Sequence, residues 1–196
     1  MQTTLILGSS SPFRKELLDR LQLNYQTLSP DIDETPLVNE SPIEMVKRLS
    51  LKKAKTIAKQ KNNALIISSD QCAVLDNQIL GKPNNHDNAV KQLMASSGKE
   101  VHFLTGLCLY NGKTQDYQLD VVPYGVKFRE LSSSEINNYL KAEKPYNCAG
   151  SFKSEGLGIT LFKEFTGSDP TALIGLPLIR LTEMLRNEGI YLPAKN

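Results

Sequence analysis

A glycine, three serines, a proline and an arginine stand together in Gly8-Ser9-Ser10-Ser11-Pro12-Phe13-Arg14-Lys15. Backbone N–H groups at a helix N-terminus, serine hydroxyls and a nearby guanidinium together make a phosphate site. The segment lacks the G-K-[ST] ending of a Walker A loop, and an ordinary N-cap beside a surface arginine explains it equally well. Asp70 follows the apolar run Ala64-Leu65-Ile66-Ile67, a placement that recurs in α/β active sites. A carboxylate there is a general base, a metal ligand or a helix cap. Gln71 and Cys72-Ala73-Val74-Leu75 continue as strand, which weakens the capping reading.

Two further segments carry ionisable groups close together. The acidic turn Asp31-Ile32-Asp33-Glu34 can offer oxygen ligands to Mg²⁺, which prefers carboxylates, water and substrate phosphate, although most acidic loops are simply solvated. Gly150-Ser151-Phe152-Lys153-Ser154-Glu155-Gly156 sets a cation and a carboxylate in flexible backbone, as a solvated hairpin also would. His86 and His102 form no cluster, so zinc catalysis and Ser-His-Asp chemistry both lose support. Cys72, Cys108 and Cys148 are odd in number, far apart and never in C-x-x-C spacing, which argues against a disulfide framework and a zinc site. They read as buried side chains in a reducing compartment.

These groups need a scaffold, and 196 residues supply one domain or one domain split into two lobes. With 40% hydrophobic and 22% charged residues the composition is that of a soluble globular protein. Lys+Arg total 23 against 21 Asp+Glu, so the net charge of +2 is too small for a nucleic-acid-coating surface. Any bound anion must be held by a local cluster. The start, Met1 to Leu7, has no basic region and its apolar run stops at Gly8, unlike a secretory signal. No apolar stretch approaches the roughly 20 residues of a membrane span. The expectation is a cytoplasmic protein with no membrane or nucleic-acid partner.

The elements can be placed from pattern. Thr4-Leu5-Ile6-Leu7 reads as a buried strand, followed by a serine loop and a helix with Ser11 as N-cap and Pro12 at its first position. Ser41-Pro42-Ile43-Glu44 is a capping box opening a helix to about Ala58, made basic by Lys47, Arg48, Lys52, Lys53 and Lys55. Ala64 onward is a central strand, Asp76-Asn77 a turn, Leu80-Gly81-Lys82-Pro83 a tight loop, and His86 to Met94 a helix. Val101 to Tyr110 and Gln118 to Arg129 are two long strands of a hairpin turned at the dipeptide Asn111-Gly112. Ser132 to Glu135 caps another helix, and Leu178, Leu181 and Leu185 belong to a last amphipathic one. Alternating helices and strands with an antiparallel second half predict an α/β fold with a mixed sheet.

In this order along the chain the segments are specific. The sequence resembles the Maf family of nucleoside triphosphate pyrophosphatases over nearly its whole length. The resemblance rests on Ser9 to Arg14, Asp33-Glu34, Arg48 to Ala54, Asp70, Gly81-Lys82-Pro83, Thr105-Gly106, Gly150 to Gly156 and Gly175-Leu176-Pro177. Phe13, Gln71 and Glu155 stand where the branch acting on dTTP and UTP typically has Arg, Thr and Gln, and look most like the branch that hydrolyses 7-methyl-GTP.

The resemblance implies an elongated α/β domain of residues 1–196, like that of inosine triphosphatases, with a mixed sheet and two lobes around a nucleotide cleft. It implies attack of water on the α-phosphate, release of pyrophosphate, and a divalent metal, Mg²⁺ or Mn²⁺. Asp70 is then the general base; Ser9, Arg14, Lys53 and Lys82 hold the triphosphate; Glu34, with Asp70 sharing, ligates the metal. Phe13, Gln71 and Glu155 read the base. Methylation at N7 makes guanine cationic, and a cation over a ring such as that of Phe13 gains roughly 0.5–2 kcal/mol. Glu155 can accept from the N1–H and exocyclic amine while its charge complements the methylated base. Still open are a dTTP/UTP pyrophosphatase of the same family, a nucleotide-responsive regulator of cell division, and the choice between monomer and homodimer.

Overall fold

The computed structural model describes residues 4–193. Of the N-terminal reading, Met1, Gln2 and Thr3 lie outside the described residues. In chain order the elements are β1 (Thr4–Gly8), α1 (Pro12–Asp19), β2 (Gln26–Leu28), α2 (Pro42–Ala58), β3 (Ala64–Leu75), β4 (Gln78–Leu80), α3 (His86–Ser96), β5 (Glu100–Asn111), β6 (Tyr117–Phe128), α4 (Ser133–Glu143), β7 (Phe162–Thr166), α5 (Thr171–Ile174) and α6 (Leu178–Asn187), with 3₁₀ turns at Ala149–Ser151 and Leu157–Leu161. The seven strands form one mixed sheet in the order β2-β1-β3-β5-β6-β7, with β4 on β3.

The chain divides into two compact units, the first made of residues up to 71, 105–122 and from 169 onward, the second of 72–104 and 123–168. In the first unit β1 lies parallel to both β2 and β3, with Leu5 opposite Leu65, Ile6 opposite Ile66 and Leu7 opposite Ile67. Such strands are buried on both faces, hence their unbroken apolar runs. The alternation of a strand then decides which helix each residue meets. Leu5, Leu7, Leu65, Ile67, Leu107 and Leu109 pack with Leu17 and Leu18 of α1 and Leu181, Met184 and Leu185 of α6. Ile6, Ala64, Ile66, Cys108 and Tyr110 pack on the other face with Ala54 and Ile57 of α2.

The core of the second unit contains an aromatic cluster. Phe152 stands edge-on to Phe103, Phe128 and Phe162, with ring centroids 5.4, 5.6 and 4.8 Å away, the separations at which ring quadrupoles attract.

The capping boxes predicted at Ser41 and Ser132 both form, each with its glutamate returning a bond to the cap backbone. The β5–β6 connection differs from the two-residue turn expected at Asn111-Gly112. It runs over residues 112–116, and the left-handed residue is Gln115 at φ 66°. Gly112 serves close approach instead: a Cβ there would sit 2.9 Å from the Asn62 carbonyl oxygen and 3.0 Å from that of Ala64. Strands β2, β4 and β7 carry no apolar run, because nearly every residue in them is exposed or half-buried, and periodicity has nothing to find there. No helix among the described residues is long and apolar enough to cross a membrane.

Candidate active site

The loop between β1 and α1 is shaped by its own hydroxyls. Ser9 is buried, and its Oγ accepts from the Ser11 N–H at 3.1 Å; the Ser11 Oγ accepts from the Arg14 N–H at 3.4 Å as the N-cap of α1. Each oxygen accepts one of these bonds, and each hydroxyl proton remains available to an anion. Arg14 is fixed from the far end of the chain, its Nε donating to the Gly175 carbonyl at 2.8 Å. Burial lowers its pKa, while the charges of Asp70 and Glu34 pull it back up. Phe13, one position earlier, exposes 42% of its surface.

Helix α2 performs the basic work anticipated for it. Three of its cations converge on the acidic segment that precedes it. Arg48 grips Glu40 with two parallel bonds, Nε to Oε1 at 2.5 Å and Nη2 to Oε2 at 2.7 Å, and reaches the Thr35 carbonyl at 3.2 Å. This pairing holds the Glu40 carboxyl down to about 2. Lys52 donates to the Asp33 carbonyl at 2.9 Å, and Asp33 Oδ1 accepts from the Thr35 N–H at 2.9 Å. The segment so held presents Glu34 to Lys53, whose Nζ lies 2.7 Å from Glu34 Oε1 and 2.6 Å from Asp70 Oδ1. The Lys53 and Asp70 side chains are 7% and 9% exposed, that of Glu34 57%.

Past Ile67 the alternation of β3 continues with polar residues. Ser68 and Asp70 face α2, where Ser68 Oγ donates to the Ser50 carbonyl at 2.7 Å. Ser69 and Gln71 face the segment before α6. Ser69 Oγ donates to the Gly175 carbonyl at 2.8 Å. Gln71 Nε2 lies 2.7 and 3.1 Å from the Ala172 and Leu173 carbonyls and 2.9 Å from Thr105 Oγ1, which itself donates to Ala172. Three acceptors around one nitrogen fix the amide so that only its oxygen is left for a ligand.

That segment is braced by a residue the sequence reading passed over. The buried Asp169 accepts from the Thr171 N–H at 2.9 Å and its hydroxyl at 2.5 Å through one oxygen, and from the Ile179 N–H at 2.8 Å through the other. Thr171 Oγ1 in turn accepts from the Leu178 N–H at 2.8 Å. Asp-Pro-Thr followed by Gly-Leu-Pro was the available signal, a side chain binding backbone two residues on and then a tight turn. Ser69, Asp169 and Thr171 are thus supports that did not stand out by type or spacing.

The second unit holds Lys82 and Glu155. Lys82 is exposed and in no ion pair among the described residues. Its loop is tied to α3, Gln92 donating to the Gly81 carbonyl at 3.0 Å and Asn88 to that of Pro83 at 3.1 Å. Glu155 is exposed and accepts from Ser154 Oγ at 2.7 Å. The Lys153 N–H donates to Tyr139 Oη at 3.1 Å, and its Nζ lies 3.5 Å from Glu143. Burial pushes the Cys148 thiol up, with Lys153 and Lys82 lowering it and Glu155 and Glu143 raising it. The 150–156 segment is buried at Gly150, Ser151 and Phe152 and half-buried or exposed from Lys153 to Gly156, so it is anchored at one end and not a freely solvated hairpin.

Cys72 and Cys108 are buried, as expected, while Cys148 is only half-buried. Burial raises the Cys108 thiol to about 12, which removes it as a nucleophile. His86 packs between Tyr146 Oη at 3.1 Å and Asn137 Oδ1 at 3.0 Å, and His102 is exposed. Among the described residues no group of three or more histidine, cysteine, aspartate or glutamate side chains could hold a metal ion. The pair Glu34 and Asp70 nevertheless fits a hard divalent cation, which takes one or two carboxylates and completes its shell with water and substrate phosphate. The Lys53 ammonium lies between them.

The Maf-like protein family model matches residues 4–188. A protein of Alcanivorax borkumensis named 7-methyl-GTP pyrophosphatase is 56% identical, the match covering 97% of this chain and 96% of that one. One of the same name from Colwellia psychrerythraea is 54% identical over 95% and 94% of the two chains. A solved HAM1 protein from Coxiella burnetii, at 12% identity, superposes with a TM-score of 0.50 over 95% of this chain and all of that one, a likeness of fold alone. The chain belongs to the Maf family.

Proposed function

We propose that this chain is a nucleoside triphosphate pyrophosphatase that hydrolyses 7-methyl-GTP to 7-methyl-GMP and pyrophosphate, acting in the cytoplasm as one Maf domain. The observation that carries this reading is that relatives more than half identical along nearly the whole chain bear that name. The first unit has the means, joining Arg14, Glu34, Lys53 and Asp70 through contacts and shared charge.

In this reading Asp70 takes the proton from the water that attacks the α-phosphate. In this structure Lys53 engages Asp70 Oδ1, and the other oxygen is the one offered to water. Ser9, Arg14, Lys53 and Lys82 bind the triphosphate and meet charge that grows on it, the usual larger share of catalysis in such reactions. Arg14 contributes its terminal nitrogens, since its Nε is engaged by Gly175. A divalent cation held by Glu34 and Asp70 supplies further neutralisation of the phosphates. Phe13 offers a ring to the cationic base, Glu155 a charge-bearing acceptor pair, and Gln71 an acceptor oxygen to the base's N–H groups.

The test is pyrophosphate release by the purified protein with Mg²⁺ or Mn²⁺ over 7-methyl-GTP, GTP, dTTP, UTP and CTP, with chromatographic identification of the product. Preference for 7-methyl-GTP with the monophosphate as product is expected. Preference for dTTP or UTP overturns the base assignment and keeps the reaction; no release with any nucleotide overturns the reaction.

A further inference from the structure

The ammonium of Lys53 touches an oxygen of Glu34 and an oxygen of Asp70 at once, at 2.7 and 2.6 Å, in a setting where Lys53 and Asp70 are almost fully enclosed. Two carboxylates therefore converge on one positive centre. A divalent cation at the same place would answer the same two carboxylates. The same two oxygens cannot serve both. Two positive centres competing for them at these distances repel each other, so a metal that takes Glu34 Oε1 and Asp70 Oδ1 must displace Lys53.

Lysine is suited to be evicted. Its charge sits at the end of a flexible four-carbon stem, and α2 itself stays anchored through buried Leu49, Ala54 and Ile57. The acidic segment also stays in place when Lys53 leaves, because Arg48 and Lys52 hold Glu40, Thr35 and Asp33 independently of it. Glu34 thus remains presented to whatever cation replaces the ammonium.

We propose that Lys53 is a resident placeholder for the divalent cation: metal entry displaces its ammonium from Glu34 and Asp70, and the freed ammonium becomes the group that binds substrate phosphate. One exchange then supplies two cationic elements of the site, the metal and the freed ammonium, and the carboxylate pair is never left bare in their absence. The inference rests on the roles given above to Glu34, Asp70 and Lys53.

The experiment uses Mn²⁺ alone on the full-length, nucleotide-free protein. Mn²⁺ binding is followed by electron paramagnetic resonance for the unsubstituted chain and for Lys53→Met, and acetylation of each lysine is followed by mass spectrometry, with exposed Lys47 and Lys59 as internal references. Lys53→Met is expected to bind Mn²⁺ at least about tenfold more tightly, since the competing internal state is gone. In the unsubstituted chain Lys53 is expected to be protected without metal and to gain reactivity along the Mn²⁺ binding curve, a readout that needs no variant to fold. Mn²⁺ binding with Lys53 reactivity unchanged, weaker binding by a folded Lys53→Met, or no Mn²⁺ binding by the nucleotide-free protein each overturns the exchange. None of these results touches pyrophosphate release, so failure here and failure of the proposed activity remain distinct.

Discussion

Arg14 Nε donates to the carbonyl oxygen of Gly175, a residue 161 positions further along the chain. The guanidinium is thereby aimed by backbone, and the same carbonyl also accepts from Ser69 Oγ beside Asp70. One oxygen thus sets the α1 cation and the middle of β3 in a common frame. Gly175 can be there because its φ is 118°, a conformation that L side chains rarely adopt, and because a Cβ would lie 3.2 Å from Arg14 Nε.

Gly175→Ala is accordingly expected to cost about 1–3 kcal/mol in urea denaturation, the usual penalty for such backbone strain. It should also lower kcat more than an Arg14-independent loss of stability predicts, measured well below the unfolding midpoint. Unchanged stability together with unchanged kcat would refute the role given to this carbonyl.

Gly106 tests the seat of α2. A Cβ on it would fall 2.5 Å from the Val46 carbonyl oxygen and 2.6 Å from Ser50 Oγ, atoms of the helix that carries Lys53. The helix backbone cannot yield as a flexible side chain would, so Gly106→Ala is expected to destabilise by about 1–3 kcal/mol through overpacking. Chemical denaturation checks it, and a variant as stable as the parent would mean that α2 can shift freely.

Much of this was legible in the sequence, for physical reasons that differ by residue. The runs at Leu5 and Leu65 announced buried parallel strands because both faces of the sheet are covered, and Ser41 and Ser132 announced helix starts because their glutamates sit three residues on. The Ser9 to Arg14 loop was legible as chemistry only because it follows a strand, and Asp70 because it follows an apolar run within one. What stayed hidden is tertiary: nothing local to Asp169 tells that its carboxylate binds the Ile179 N–H, nor that the Ala172 carbonyl fixes Gln71. Gly112 misled because a turn dipeptide and a site of close approach look alike when only two residues are read.

The pairing of Glu40 with Arg48 carries a pH signature. The Glu40 carboxyl ordinarily titrates at 4.5 and is held to about 2, chiefly by hydrogen bonding from Arg48. A carboxyl lowered in the folded state contributes stability that is present above its unfolded value and is lost as pH falls toward the folded one. The clamp on the acidic segment should therefore persist through pH 4.5 and fail only as pH approaches about 2. Carboxyl ¹³C NMR of Glu40 checks this, and Arg48→Ala should return the midpoint to the ordinary range.

Asp70→Asn separates binding from chemistry. The amide keeps the size of the carboxylate and still accepts from Lys53 through its oxygen, but it cannot take a proton from water. Nucleotide binding is expected to persist while kcat falls by roughly 10²–10⁴-fold, the usual contribution of a positioned base. A folded variant with near-normal turnover would remove Asp70 from that role and leave it as the partner of Lys53.

Glu155→Gln isolates the reading of the base. The substitution keeps an acceptor but removes the charge that complements a cationic 7-methylguanine, and a hydrogen bond to a charged acceptor is roughly twice as strong as a neutral one. Glu155 is exposed, and among the described residues it accepts a hydrogen bond from the adjacent Ser154, so the fold should not depend on it. The expected outcome is a fall in kcat/KM for 7-methyl-GTP much larger than for UTP, with thermal unfolding unchanged. Equal losses on both nucleotides would show that Glu155 acts on the phosphates or the local backbone, and selectivity would then have to reside in Phe13 and Gln71.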